Sequence, residues 1–187
     1  GPSMKIVRVE TIRLEREGAR RGLWVELHTD EGQVGLGETW YAPETVEAAV
    51  HELFAPMLIG RSPLEIERHW YNMFRLADHW GYGGAETRAL SALDIALWDI
   101  AGQVAGRPIY DLLGGACRDR IPVYDTGGGP DFASDPVPYA RQLLDLGISR
   151  MKVGGFPAAH EGDGYLLTSD ELERIVSPIR KVYDALG

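Results

Sequence analysis

The stretch from Ala85 to Gly115, AETRALSALDIALWDIAGQVAGRPIYDLLGG, constrains this chain more than any other. Ala89, Ala92, Leu93, Ala96, Leu97, Ile100, Ala101 and Val104 recur at i, i+3, i+4 and i+7, the rhythm of one helix face. Small residues dominate that face, so a second element is expected to approach the helix closely. Gly106 is placed to end the helix, and Arg107-Pro108 to open a short second segment, IYDLLGG. Asp94 and Asp99, inside the helix, are expected to be hydrogen-bonded structural acids rather than catalysts.

Ahead of this helix the pattern is strands, then helices. Lys5–Leu14 alternates, with Ile6, Arg8 and Glu10 against Val7, Val9 and Thr11, and reads as a strand. Glu15–Gly22 is a polar loop, Leu23–Thr29 a second strand, Asp30-Glu31-Gly32 a tight turn and Val34–Thr39 a third strand. Gly35 and Gly37 interrupt that last strand, which points to close packing or a bulge. Together the three make an antiparallel meander. Pro43–Leu58 carries Val46, Ala49, Val50, Leu53 and Phe54 at helical spacing. A second helix opens at Ser62-Pro63, with Ser62 as cap, and runs to about Ala77. Asp78–Gly84 reads as a glycine-rich link, with His79 and Trp80 in it. Residues 4–120 are thus an α+β domain. Gly1-Pro2-Ser3, ahead of Met4, reads as a tag-cleavage scar.

After Arg120 the pattern becomes βαβα. Ile121–Tyr124 is a strand, Gly127-Gly128-Gly129-Pro130 a loop, and Pro136–Leu146 a helix ended by Gly147. Ser149–Val153 is a strand, Gly154–Thr168 a long loop, and Ser169–Leu186 a helix capped by Ser169. This is the unit of a parallel sheet or barrel, and residues 121–187 hold two such units, far fewer than a closed barrel contains. The glycine run is not a dinucleotide fingerprint, because it lacks G-x-G-x-x-G and opens no helix directly.

Charge and composition narrow the partners. A formal net charge of −9 disfavours nucleic acid and anionic membrane surfaces. It does not disfavour a small anionic substrate, since a bound metal reverses the local field. The single cysteine, Cys117, cannot form an internal disulfide, which points to a cytoplasmic setting. No stretch approaches the roughly 18 apolar residues of a membrane-spanning helix, and no charged-then-apolar leader is expected. His28, His51, His69 and His160 show no mutual spacing that suggests a metal site.

The order of residue types in the long helix, A-L-S-A-L-D-I-A-L-W-D-I-A-G-Q-x4-P-I-Y-D-L-L-G, resembles the signature helix of the mandelate racemase/muconate lactonizing branch of the enolase superfamily. The resemblance extends from Met4 to Gly187. It implies an α+β capping domain (a three-stranded antiparallel meander plus helices) over residues 4–120. Residues 121–187 would then be the first two βα units of a (β/α) TIM-type barrel, incomplete in this chain. It also implies a chemistry, abstraction of the proton α to a carboxylate, with Mg²⁺ stabilising the enediolate.

Lys152, at the end of the second barrel strand in Met151-Lys152-Val153-Gly154, is the leading catalytic candidate. Barrel enzymes gather their active sites at that end of the strands. A partly desolvated lysine there acts as a base, or stays charged and binds a carboxylate. By spacing alone a strand-end lysine is ordinarily a surface charge. Sequences similar to this one often carry Lys-x-Lys at this place, and here Gly154 stands at the second position. The resemblance makes that second lysine one of two opposed bases in racemases. Its absence disfavours a two-base racemase and leaves Lys152 as a contact to the substrate carboxylate. Tyr124-Asp125-Thr126 resembles a Tyr-Asp-Ser segment ending the first barrel strand, where the hydroxyl lies near that carboxylate, although Asp and Thr are also common in turns. Two capping loops are expected over the pocket. One offers Arg20 and Arg21 to carboxylate or hydroxyl groups; the other offers Trp40 and Tyr41 as apolar wall and hydroxyl.

The resemblance places the Mg²⁺ ligands on the third to fifth barrel strands and a histidine–aspartate base on later ones, so no metal ligand is assigned in this chain. The sequence therefore reads as the N-terminal part of a roughly twofold longer Mg²⁺-dependent lyase, an acid-sugar dehydratase acting on a small anionic carboxylate. A racemase, epimerase or cycloisomerase of the same superfamily is the alternative enzyme. The other alternative is a non-catalytic interaction module whose truncated barrel docks on a partner. The family implies a homo-oligomer, or pairing with the missing barrel portion; this chain alone is expected to be inactive.

Overall fold

A computed structural model of the chain describes residues 4–14, 22–80, 83–126, 129–153 and 168–187. They fall into two compact units, Gly1–Cys117 and Arg118–Gly187. The loop from Glu15 and the long loop after Val153 lie outside the described residues, except for Gly22 and Thr168.

In the first unit, strands β1 (Ile6–Leu14), β2 (Gly22–Thr29) and β3 (Val34–Trp40) form an antiparallel sheet in the order β1-β2-β3. The period-two pattern decides which side is core. Leu23, Val25, Leu27 and Thr29 of β2 point inward, as do Gly35, Gly37 and Thr39 of β3. In β1 a register shift between Ile6 and Arg8 turns Ile6 fully inward and leaves Val7 exposed.

Helix α4 (Ala85–Ala105) lies along β3, and the two glycines explain how close it comes. A Cβ built on Gly35 would stand 2.1 Å from the Ala96 carbonyl oxygen, and one on Gly37 1.8 Å from that of Ala92. The helix contributes its smallest face there: Ala89, Ala92 and Ala96 are fully buried, beside Leu93, Leu97 and Ile100. The open edge of β3 is served by the same helix. Asp99 Oδ2 accepts the Leu36 N–H at 2.9 Å, and Gln103 Nε2 donates to the Val34 carbonyl at 2.7 Å. Edge-strand groups that would otherwise invite another strand are thereby occupied. Asp99 is the hydrogen-bonded acid the sequence suggests. Asp94 is not: it accepts no hydrogen bond among the described residues. Val104, expected on the buried face, is exposed, because the sheet ends before the helix does. Gly106 closes the helix in the left-handed conformation, with Arg107 N–H reaching the Gly102 carbonyl at 3.0 Å. Helix α5 (Ile109–Leu112) follows.

Helices α1 (Pro43–Ala48) and α2 (Ala55–Leu58) are joined without a break by a π-helical segment, Ala49–Phe54. Pro56 has no N–H for the carbonyl four residues back and its ring would crowd it, and a widened turn relieves both problems. Val46, Val50, Phe54 and Leu58 are fully buried along this run.

Helix α3 (Ile66–Trp80) departs from expectation at both ends. Ser62-Pro63 forms a turn rather than the first helical turn: Glu65 N–H reaches the Ser62 carbonyl, and that carbonyl also accepts the buried His69 Nε2–H at 2.7 Å. At the other end the helix continues through His79 and Trp80, which are therefore not in a loop.

The second unit is built on helices α6 (Gly129–Ser134), α7 (Pro136–Asp145) and α8 (Ser169–Leu186). Among the described residues of this unit, Phe132, Ala140 and Leu143 are buried together with Pro136 and Pro178, and Tyr139 meets Phe132 edge-on. Three expectations change. The glycine run does open a helix, since α6 begins at Gly129. The cap of α8 is Thr168, not Ser169: Thr168 Oγ1 accepts the Glu171 N–H while Glu171 accepts the Thr168 N–H, a complete capping box. Most consequentially, Ile121–Tyr124 and Ser149–Val153 are not regular strands; the pairing there is one parallel bridge, between Asp125, just past the first segment, and Met151. A parallel strand needs cover on both faces, and here Ile121 and Val123 are 75% and 61% exposed. The helix end at Gly147, by contrast, is as expected, with Ile148 N–H on the Leu143 carbonyl at 2.9 Å.

Candidate functional site

The parallel bridge is the local frame for the leading candidates. Asp125 N–H donates to the Arg150 carbonyl at 3.0 Å, and Lys152 N–H to the Asp125 carbonyl at 2.7 Å. In a parallel pairing, residues one step past the bridge leave it at the same end, so Thr126 and Lys152 emerge together. Thr126, Tyr124 and Lys152 are all exposed. Asp125 is better tied down: its Oδ2 accepts the Tyr139 hydroxyl at 2.9 Å, which anchors the bridge to α7. The structure thus brings Tyr124, Thr126 and Lys152 into one neighbourhood.

Trp40 and Tyr41 stand where β3 passes into α1, in the first unit. Their rings lie 4.3 Å apart at 40°. Tyr41 and Ala42 both have positive φ, 75° and 42°, a left-handed pair with no glycine in it. Arg88 on α4 reaches them, donating from Nη1 to the Trp40 carbonyl at 3.0 Å with its guanidinium 5.1 Å from the centre of the Tyr41 ring. Beyond the turn, the Ala42 carbonyl accepts the N–H groups of Thr45 and Val46. Arg20 and Arg21 lie outside the described residues.

Two clusters were not legible in the sequence. Glu47 accepts from the Thr11 hydroxyl at 2.7 Å and pairs with Arg13, and these contacts, Thr11 foremost, hold its carboxyl below the usual range. Glu10, Glu26 and His28 gather on one side of the sheet: His28 Nε2 lies 3.0 Å from Glu26 and 3.2 Å from Glu10. Glu10 and Glu26 are direct cross-strand partners, and His28 follows Glu26 on the same face; only the register, not the spacing of histidines, reveals this. These are the residues among those described whose ligand atoms are close enough to share a metal ion. They do not fit Mg²⁺, which takes oxygen ligands, and Arg8 already donates to His28 Nδ1 and pairs with Glu10.

A separate cavity of about 420 Å³ is lined by Met57, Arg61, Arg68, His69 and Met73, and contains none of the candidates above. Asp94 is held above the usual carboxyl range, mainly by burial and further by the charge of Glu67. Among the described residues no helix is long and apolar enough to cross a membrane.

Residues 11–114 match the family model of the mandelate racemase / muconate lactonizing enzyme N-terminal domain. The chain is 39% identical over 185 residues to a D-galactonate dehydratase of Variovorax paradoxus, covering 98% of this chain and 46% of that protein. A D-galactonate dehydratase of Pectobacterium atrosepticum is 36% identical over 186 residues, with the same coverage of 98% and 46%. Among solved structures, an enolase of the mandelate racemase subgroup from Agrobacterium tumefaciens is similar with a TM-score of 0.84 and 40% identity, over 98% of this chain and 47% of that one. The chain therefore spans about half the length of the curated relatives it matches.

Proposed function

Because the chain belongs to the mandelate racemase / muconate lactonizing enzyme family, through the N-terminal domain matched over residues 11–114, we propose that it is the N-terminal part of an acid-sugar dehydratase. One observation carries the reading: two D-galactonate dehydratases resemble it along 98% of its length, not in the signature helix alone. The three-stranded sheet with its helices is the capping domain of such an enzyme. We assign residues 4–120 to that domain and 121–187 to the opening of the barrel.

A base removes the proton α to the carboxylate and the freed electron pair enters an enediolate; that pair then forms the α,β double bond as the β-hydroxyl takes up a proton and leaves as water. Lys152 holds its ammonium against the substrate carboxylate, and the Thr126 hydroxyl donates to the same group. The bridge Asp125–Met151 supplies their common origin. Trp40 and Tyr41, and by the family resemblance Arg20 and Arg21, are assigned to binding the sugar. Mg²⁺ would stabilise the enediolate when bound, but the described residues hold no oxygen set that fits it. Its ligands and the proton-abstracting base belong to the length of the relatives this chain does not span. Gly154, where racemases of the family place a second lysine, separates this reading from the racemase alternative.

The test is α-proton exchange. The full-length protein with Mg²⁺ and D-galactonate in D₂O is expected to lose the α-proton signal and eliminate water. No exchange with D-galactonate or a panel of other acid sugars would overturn the assignment. Exchange without elimination would favour the racemase or epimerase alternative.

A further inference from the structure

We propose that Arg88 is a positioning residue, which fixes Trp40 and Tyr41 in the orientation from which they meet a polyhydroxylated carboxylate. The proposal rests on the reading of those two side chains given above. Tyr41 and Ala42 occupy the left-handed region consecutively, at φ 75° and 42°. A bulky residue there is an outlier, and two in succession persist only when their surroundings over-determine them. The strain is not spent on burial, since Trp40 and Tyr41 are 38% and 55% exposed. It serves instead to hold two aromatic rings outward, 4.3 Å apart.

Arg88 reaches both. Its Nη1 donates to the Trp40 carbonyl at 3.0 Å, and its planar cation lies over the Tyr41 ring at 5.1 Å. A guanidinium performs both tasks at once; an ammonium does not have the fork to do so. The base of this clamp is rigid. One turn along α4 from Arg88 is Ala92, whose carbonyl lies against Gly37, three residues before Trp40. The distance between the arginine and the turn it grips is therefore set by backbone packed on backbone. On the far side the Ala42 carbonyl is taken by Thr45 and Val46, so the turn is held from both ends.

The experiment uses the full-length protein, with D-galactonate as the substrate probe. Arg88→Ala is expected to raise KM about tenfold, the effect of one lost charge-assisted contact, with kcat changed less than about threefold. Amide exchange in peptides spanning residues 40–46 is expected to quicken while peptides from β2 stay as slow as in the parent. Arg88→Lys is expected to recover part of the KM and little of the exchange protection. Unchanged exchange at 40–46 in Arg88→Ala would overturn the clamp. Faster exchange with unchanged KM would overturn its link to substrate; Trp40→Ala then separates the two failures, because a raised KM in that variant keeps the aromatic contact and rejects Arg88 alone. If the full-length protein turns over neither D-galactonate nor any other acid sugar of the panel, the functional reading fails, and the link of this clamp to substrate with it.

Discussion

Gly37 and Ala92 are packed backbone to backbone: a Cβ on the strand residue would lie 1.8 Å from the helix carbonyl oxygen. Neither atom involved is a flexible side-chain end, so nothing yields cheaply. Gly37→Ala is expected to force strand and helix apart and to destabilise the first unit by about 3 kcal/mol, the upper end of ordinary overpacking. Gly32, in the β2–β3 turn with φ 90° and open space around it, is the control. Gly32→Ala is expected to lose only about 1 kcal/mol, the penalty of a left-handed alanine. Urea unfolding of the two variants beside the parent chain measures both.

Ala42 carries the opposite prediction. It sits at φ 42°, ψ 56° and is the N-cap of α1, with no side-chain capping bond. Glycine is at ease in that region and is a better N-cap than alanine. Ala42→Gly is expected to stabilise the chain by about 1 kcal/mol, seen as a raised Tm. In the full-length protein the same substitution is expected to raise KM for the acid sugar, because the turn it relaxes carries Trp40 and Tyr41.

Glu47 and Asp94 predict opposite responses to pH. The carboxyl of Glu47 is lowered from 4.5 by Thr11 and Arg13, so its ionised form favours the folded state. That contribution is present above the unfolded value and fades as pH falls below about 4.5 toward the folded one. Glu47→Gln is expected to flatten the loss of stability across that window. Asp94 is raised from 3.8 by burial and by Glu67, so its ionised form opposes folding. Asp94→Asn is expected to stabilise the chain at pH 7, with the gain vanishing below 3.8, where the parent is protonated in both states. Urea midpoints from pH 3 to 7 decide both; a pH-independent difference in either variant would contradict its assignment.

Lys152 and Thr126 are separable in the full-length protein. Lys152→Met is expected to raise KM for D-galactonate by about 10- to 100-fold, the loss of a charge-assisted hydrogen bond. Thr126→Val is expected to raise it a few-fold, about what one neutral hydrogen bond contributes. Equal, small effects would argue that the carboxylate is bound elsewhere.

Legibility in the sequence followed the range of the interaction. Period and punctuation suffice where neighbours in sequence decide them: the meander, the buried face of α4 as far as Ile100 and the stops at Gly106 and Gly147. The close approach at Gly35 and Gly37 was legible too, because two glycines in a strand and a run of alanines in a helix announce the same contact from opposite sides. What escaped depended on partners distant in sequence. Ser62-Pro63 carried a helix-start signal, but His69 takes the Ser62 carbonyl and a turn results. Trp40 and Tyr41 stand out in the sequence, while Arg88, which holds them, gives no local sign. Glu10, Glu26 and His28 assemble only through strand register. Ile121–Tyr124 and Ser149–Val153 have strand composition, yet composition does not provide the neighbouring strands that would extend the bridge.

The π-helical segment Ala49–Phe54 acts as a counting device. Each i→i+5 turn holds one residue more than its α counterpart, and one residue is about 100° of helical rotation. The surplus lets Val46 before it and Leu58 after it face the same core. Loss of any single codon between 49 and 54 would restore a regular helix and swing one of those faces toward solvent. For gene lineages this makes the segment a place where a length change, harmless in most helices at the surface, becomes a change of which residues are inside.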